Sequence, residues 1–342
     1  VMDKYKEMLS AASGAIKYIF NPNQSDRILI LTDKDSCNIA RAFEEALQIL
    51  NCRIETYEIF DNDRPLKEIP KELEELLPGK TIVLNIIKAF PEEIPFRIKW
   101  IFKVEENKKI KMGHMPGITE DMMVNSVNVD FERMKQTANF LHKSFLNAEK
   151  LHITTEEGTD IFLGVKDRIF SNDISVKEGE MCNLPCGEIY CAPLESEADG
   201  IIVFNASIGD IGILKYPLRV YVNKGKIVKF ESDDKILIKK ISELTAVDEQ
   251  ASVIGELGIG LNPGARITGN MLEDEKTLGT AHIAFGNNAD FPGGGKNSSK
   301  IHRDYLFYRP TIEVEYLGGN QKVVLRKGEI NLQKVPPKKT FC

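Results

Sequence analysis

Only five histidines occur in the 342 residues, and two of them, His282 and His302, fall in the part of the chain richest in glycine and asparagine. His302 is followed two residues later by Asp304. Residues i and i+2 of a strand share a face, so an imidazole and a carboxylate would point the same way and make half of a metal site. Taken alone, an H-x-D pair is more simply a His–Asp hydrogen bond without metal. His282 stands in the apolar run Thr280-Ala-His-Ile-Ala-Phe, which would carry its ring inward on a strand. Two acids add to this set. Glu256 lies in Gly255-Glu-Leu-Gly-Ile-Gly260, and Glu188 in Asn183-Leu-Pro-Cys-Gly-Glu-Ile-Tyr-Cys-Ala-Pro193. A carboxylate in an apolar setting is costly unless it is paired or bound to a cation. Together these residues offer mixed oxygen and nitrogen ligation suited to zinc, manganese, cobalt or ferrous iron, and enough of it for two ions. Residue types alone do not bring the segments together; the elements that carry them must.

Other chemistries fail on spacing. The glycine-rich stretches at 255–270 and 286–299 suggest close backbone approach to a phosphate. Gly258-Ile-Gly260 nevertheless has Pro263 where a dinucleotide fingerprint needs glycine, and Gly295-Lys296 is followed by Asn297, with Asp290 where a P-loop begins. No H-E-x-x-H or G-x-S-x-G is present. Cys182, Cys186 and Cys191 cluster without the paired C-x-x-C of a zinc ribbon, so structural thiols are expected.

The elements expected to position these residues fall into two halves. In the first, a helix over 4–19 precedes a buried strand at Arg27 to Thr32, a helix at 39–50, a strand at 53–60, a helix at 68–77 and a strand at 81–87. That alternation argues for an open α/β domain with a mainly parallel sheet. The turn after the first strand lacks glycine, which excludes a dinucleotide fingerprint. A helix at 130–149 shows Met134, Ala138, Leu141 and Phe145 on one face. Beyond it come short strand-like runs at 151–155, 160–164, 200–204, 218–223, 226–231 and 312–316, with a helix near 234–244 and another leading into Glu256. We place the change near residue 150: an α/β domain over 1–150 and a strand-rich α+β metal-binding domain over 151–342.

A net charge of −6 and pI near 5.6 argue against nucleic acid as a partner, because phosphate neutralisation needs a basic surface. No apolar stretch approaches membrane-spanning length, and the first residues lack the basic start and apolar core of a secretory signal. With six scattered cysteines, a soluble cytoplasmic protein with free thiols is expected. The tail lysines Lys334, Lys338 and Lys339 are expected to be solvated.

The run GELGIGLNPGARITGNMLEDEKTLGTAHIAFG, followed by the glycine-rich loop and SSKIHRD, resembles the metal-binding core of the thermophilic metallo-aminopeptidases of the aminopeptidase T and S type. NLPCGEIYCAP resembles the same family's first ligand segment, and similarity extends over about 112–330. The resemblance implies that Glu188, Glu256, His282, His302 and Asp304 are metal ligands for two divalent ions, whether zinc, cobalt or manganese. It implies removal of N-terminal residues from peptides by a metal-activated water, with Glu256 as bridging and catalytic carboxylate, in a homodimer. Glu273, Asp274 and Glu275 are lesser candidates, since an acidic LEDEK segment is usually a solvated turn. The family pattern also has a tyrosine seven residues after the first histidine, where this chain has Ala289. Tyr305 or Tyr308 could substitute, although Tyr308 is better placed as a core residue. His114, His142 and His152 are expected at surface or packing positions. The 2,5-dihydroxypyridine dioxygenases resemble the same scaffold, so one ferrous ion in a 2-His-1-carboxylate site acting on a small ring is the alternative, and a non-catalytic metal-binding relative is a third.

Overall fold

The computed structural model describes residues 2–330; Lys334, Lys338 and Lys339 lie outside the described residues. The chain forms two compact units. One is built from residues up to 132 with 173–186 and 262–265, and the other from 133–172, 187–261 and the described residues from 266 onward. Residue 150, where the texture of the sequence changes, lies inside the second unit.

The first unit is an α/β layer around a five-stranded sheet. Its spatial order is Arg53–Ile59, Arg27–Asp33, Ile82–Ile86, Lys111–His114 and Met181–Asn183, with every pair parallel. Ile28 to Leu31 and Ile82 to Leu84 are buried without alternation, as expected of a parallel sheet covered on both faces. Helices Cys37–Ile49 and Ile94–Glu105 belong to this unit, and Phe96, Trp100 and Val104 of the latter pack on Leu29, Leu31 and Val83 of the sheet. The helix expected at 68–77 is limited to Lys71–Leu76, since Pro70 disfavours the helical conformation of Ile69 before it and Pro78-Gly79 follow its end.

At the carboxyl ends of the first and third of these strands in chain order, the Arg64 guanidinium is enclosed. It donates to Asp33 Oδ2 at 2.6 Å and to Glu93 Oε1 and Oε2 at 2.9 and 2.5 Å. Glu93 is fully buried, and its ordinary cost of burial is outweighed by these bonds and by the Leu66 amide, so its pKa is lowered. Removing one partner of a buried pair strands the other charge. Arg64→Ala is therefore expected to destabilise the protein by about 3–5 kcal/mol, measured by denaturant unfolding; a loss below 1 kcal/mol would contradict this reading.

The second unit contains two antiparallel sheets. The eight-stranded sheet runs Lys226–Glu231, Leu218–Asn223, Ala198–Phe204, Asp160–Gly164, Ala148–Thr154, Thr311–Tyr316, Gln321–Arg326 and Glu329–Ile330. The seven-stranded sheet runs Gly212–Ile213, Ser207–Ile208, His302–Tyr308, Thr280–Gly286, Ile254–Gly260, Glu188–Cys191 and Ser171–Asn172. Phe204 of the first sheet meets Tyr305 and Phe307 of the second, at centroid distances of 5.1 and 5.9 Å, so one face of the seven-stranded sheet is apolar core. Two expected helical segments change. The 130–149 helix is Phe131–Phe145, ended by Asn147 in the left-handed region (φ 59°) before the strand beginning at Ala148. No helix leads into Glu256. Residues 246–253 form turns instead, pinned by Asp248, which accepts from Ser299 Oγ and the amides of Gln250 and Lys300.

Candidate metal centre

Strand register assembles the centre. His302 pairs with Gly286, Asp304 with Ala284, His282 with Gly258, Glu256 with Ala284, and Gly260 with Glu188. Alternation then puts Glu188, Glu256, His282, His302 and Asp304 on one face of the four central strands, while Tyr305, Phe307, Ile283 and Phe285 take the other. All five residues singled out in the sequence meet in the second unit. They form two groups, Glu188 with Glu256 and His282, and Glu256 with His302 and Asp304. Glu256 belongs to both, offering Oε1 to one and Oε2 to the other: Oε1 lies 3.4 Å from His282 Nε2, and Oε2 lies 3.0 Å from His302 Nε2. Glu188 Oε2 is 3.4 Å from His282 Nε2, and Asp304 Oδ1 is 3.4 Å from His302 Nε2.

The glycines of G-E-L-G-I-G have a steric purpose. A Cβ at Gly258 would fall 2.0 Å from His282 Nε2, so the imidazole occupies the space a side chain would fill. Gly260 is likewise closed by the Thr277 carbonyl at 2.0 Å. Gly258→Ala is expected to displace the His282 ring and to weaken metal binding by at least about tenfold, read by calorimetric titration. Unchanged affinity would show that the ring does not need this space.

The asparagines around the glycine-rich loop act as scaffold rather than as a phosphate cradle. Buried Asn288 donates to the Gly255 carbonyl and accepts from the Asn297 amide, and Asn297 Nδ2 donates to the carbonyls of Ile254 and Gly286. This lacing holds the Asn287 carbonyl 2.7 Å from His302 Nδ1. A carbonyl only accepts, so Nδ1 carries the proton and Nε2 faces the carboxylates of Glu256 and Asp304. Phe291 of the same loop lies over His302, with ring centroids 5.6 Å apart, and meets Tyr190 edge-on.

Charge in the centre is uneven. Burial opposes ionisation of His282, yet Glu256, Glu188 and Asp304 outweigh it and push its pKa up to about 9. For His302, burial is again overcome, by Asp304 and Glu256, and the shift is well upward. Burial would raise Glu256, but the two imidazoles hold it down at about 2. In the protein without metal, protons therefore sit where carboxylates converge.

The donor set fits a cation by an independent test. With the His302 tautomer fixed, a neutral ring would aim a lone pair at two carboxylates, which is repulsive unless a positive charge intervenes. Donors bound at about 2.1 Å in a tetrahedron stand about 3.4 Å apart, and the contacts above are 3.0–3.4 Å. Imidazole with carboxylate suits zinc, manganese, cobalt or ferrous iron. Among the described residues, His282 Nδ1 is buried without a hydrogen-bond partner, so nothing fixes that ring as Asn287 fixes His302.

The expectations for the LEDEK segment and for the two tyrosines need correction. The acidic LEDEK segment is not a solvated turn. Glu273 and Asp274 are buried; Asp274 accepts from the Thr268 and Gly269 amides and Glu273 from the Arg266 amide, so they brace the preceding loop. Tyr308 is only half-buried and shares the face of His302 and Asp304, whereas Tyr305 is the fully buried core residue, turned to the opposite face. Tyr305 therefore does not stand in for a phenol at Ala289. His114 lies in the first unit, bonded to Asn85 and held neutral by burial and by Arg97, its pKa lowered to about 3. His152 pairs with Asp160, and His142 is exposed. Cys182, Cys186 and Cys191 are buried thiols outside any disulfide. Sequence reasoning missed Lys276. Its ammonium is fully buried, 2.5 Å from Glu188 Oε1 and 2.8 Å from Glu275 Oε1. The signal was a lone lysine inside a segment read as solvated.

The model of the thermophilic metalloprotease (M29) family matches residues 118–330. The chain belongs to this family. Among solved structures it is similar to 2,5-dihydroxypyridine dioxygenase from Pseudomonas putida KT2440, with 16% identity, 98% of each chain covered and a TM-score of 0.75. It is also similar to wild-type AmpT from Thermus thermophilus, with 16% identity, 96% of this chain and 99% of that chain covered, and a TM-score of 0.69. At such identity the likeness is one of fold. No curated protein matches the chain. Among the described residues, no helix is long and apolar enough to cross a membrane.

Proposed function

We propose that the chain is a metal-dependent aminopeptidase that uses two divalent ions. The observation that carries this reading is the position of Glu256, one carboxylate with an oxygen turned to each of two ligand groups. Glu188, Glu256 and His282 would hold one ion, and Glu256, His302 and Asp304 the other. Divalent ions bound there would supply polarisation of a peptide carbonyl and a water ionised near neutrality. The protein's own part is electrostatic and steric. Glu188, Glu256 and Asp304 would offset the positive charge of the ions they hold. Glu256, buried and held ionised, would be the carboxylate shared by the two ions, one oxygen for each. Phe291 and Tyr190 bound the site beside His302 with aromatic surface. Ala289 leaves no phenol where the family resemblance implies one. Free thiols suit a reducing cytoplasm, and homodimerisation follows only from the resemblance.

The test is to strip metal, reconstitute with zinc, manganese or cobalt, and assay aminoacyl amides beside N-blocked controls. Release from free N-termini alone is expected. Cleavage of both, or of neither, would overturn the reading.

A further inference from the structure

Resting on that reading of the centre as a metal site, we infer that Lys276 is a positioning residue that orients Glu188 for one of the two ions. The side chain is fully buried, and its ammonium lies 2.5 Å from Glu188 Oε1. This contact occupies one carboxylate oxygen and leaves Oε2 turned toward His282 Nε2, 3.4 Å away. Glu275 Oε1, 2.8 Å from the same ammonium, is its second carboxylate partner. A lysine enclosed this way would be unstable without its carboxylates, and Glu188 would lose the contact that holds Oε1 without the lysine. The placement is one-sided. Among the described residues, Asp304 and His302 have ion-pair partners only in imidazole and carboxylate, with no lysine or arginine. Lys276 thus touches the Glu188 group directly. Hydrogen-bond partners that orient ligands contribute about 10–100-fold to metal affinity.

The experiment is calorimetric titration of metal-free protein with Mn2+, with electron paramagnetic resonance of the coupled ion pair as a second readout. Glu188→Gln and Asp304→Asn identify the binding step that belongs to each group. Lys276→Met is expected to weaken the Glu188 step by about 10–100-fold, to leave the Asp304 step within about threefold, and to abolish the coupled signal at two equivalents. Lys276→Arg, which keeps the charge and the donors, is expected to recover part of the loss. Titration indistinguishable from the unaltered protein, or equal weakening of both steps, overturns the inference. Should Lys276→Met not fold, the unaltered protein labelled with 15N at lysine is titrated with Zn2+. The Lys276 Nζ resonance is expected to shift with the step that Glu188→Gln removes, and its absence of response overturns the inference. Peptide cleavage does not enter these readouts, so loss of the aminopeptidase reading and loss of this one are distinguishable.

Discussion

Glu256→Gln is expected to lower kcat/KM for an aminoacyl amide by about 10²–10⁴-fold while the protein stays folded. The amide removes the negative charge that two ions would share, and it puts an N–H2 where one imidazole nitrogen now faces an oxygen. Both ligand groups lose a charged member at once, since Glu256 belongs to each. Circular dichroism separates this from collapse of the fold, and metal content reads whether an ion is lost with the charge. Turnover within about threefold of the unaltered protein would remove Glu256 from the chemistry.

The second large effect is on pH. His282 in the metal-free protein has its pKa raised from 6.5 to about 9, and His302 is raised well above 6.5. A raised folded-state value contributes stability that is complete below the unfolded value near 6.5 and is lost as pH climbs through about 9. The metal-free protein is therefore expected to lose stability across that window. Metal binding must displace the same protons, so apparent affinity should strengthen by about tenfold per pH unit for each imidazolium displaced between pH 7 and 9. The two trends have opposite signs. Denaturation of the metal-free form and titration with Zn2+ at pH 6.5, 7.5 and 8.5 measure both, and pH-independent affinity would show that the imidazoles are not ligands.

The centre was legible because strands display their side chains with a period of two. H-x-D at 302 and 304, and His282 in an apolar strand, encode facing directly. What the sequence concealed was depth. LEDEK looks like a polar turn, but Glu273 and Asp274 are buried under the amides of 266, 268 and 269, and Lys276 is enclosed by two carboxylates from separate segments. Such pairing depends on contacts 88 residues apart and leaves no local period. The helix Ile94–Glu105 escaped for a related reason. Ile94, Ile98 and Phe102 are exposed while Phe96, Trp100 and Val104 are buried, so apolar residues occupy both sides and blur the helical stripe. The parallel strands beginning at Arg27 and Ile82 were plain, because continuous buried Ile, Leu and Val are what a sheet covered on both faces requires.

Metal content at saturation tests the two-ion centre most directly. Metal-free protein reconstituted with zinc, manganese or cobalt, freed of excess ion and measured by atomic spectrometry is expected to hold two equivalents per chain, both needed for release of an N-terminal residue. One equivalent of ferrous iron, with oxygen uptake on a dihydroxylated ring and no peptide cleavage, would contradict it.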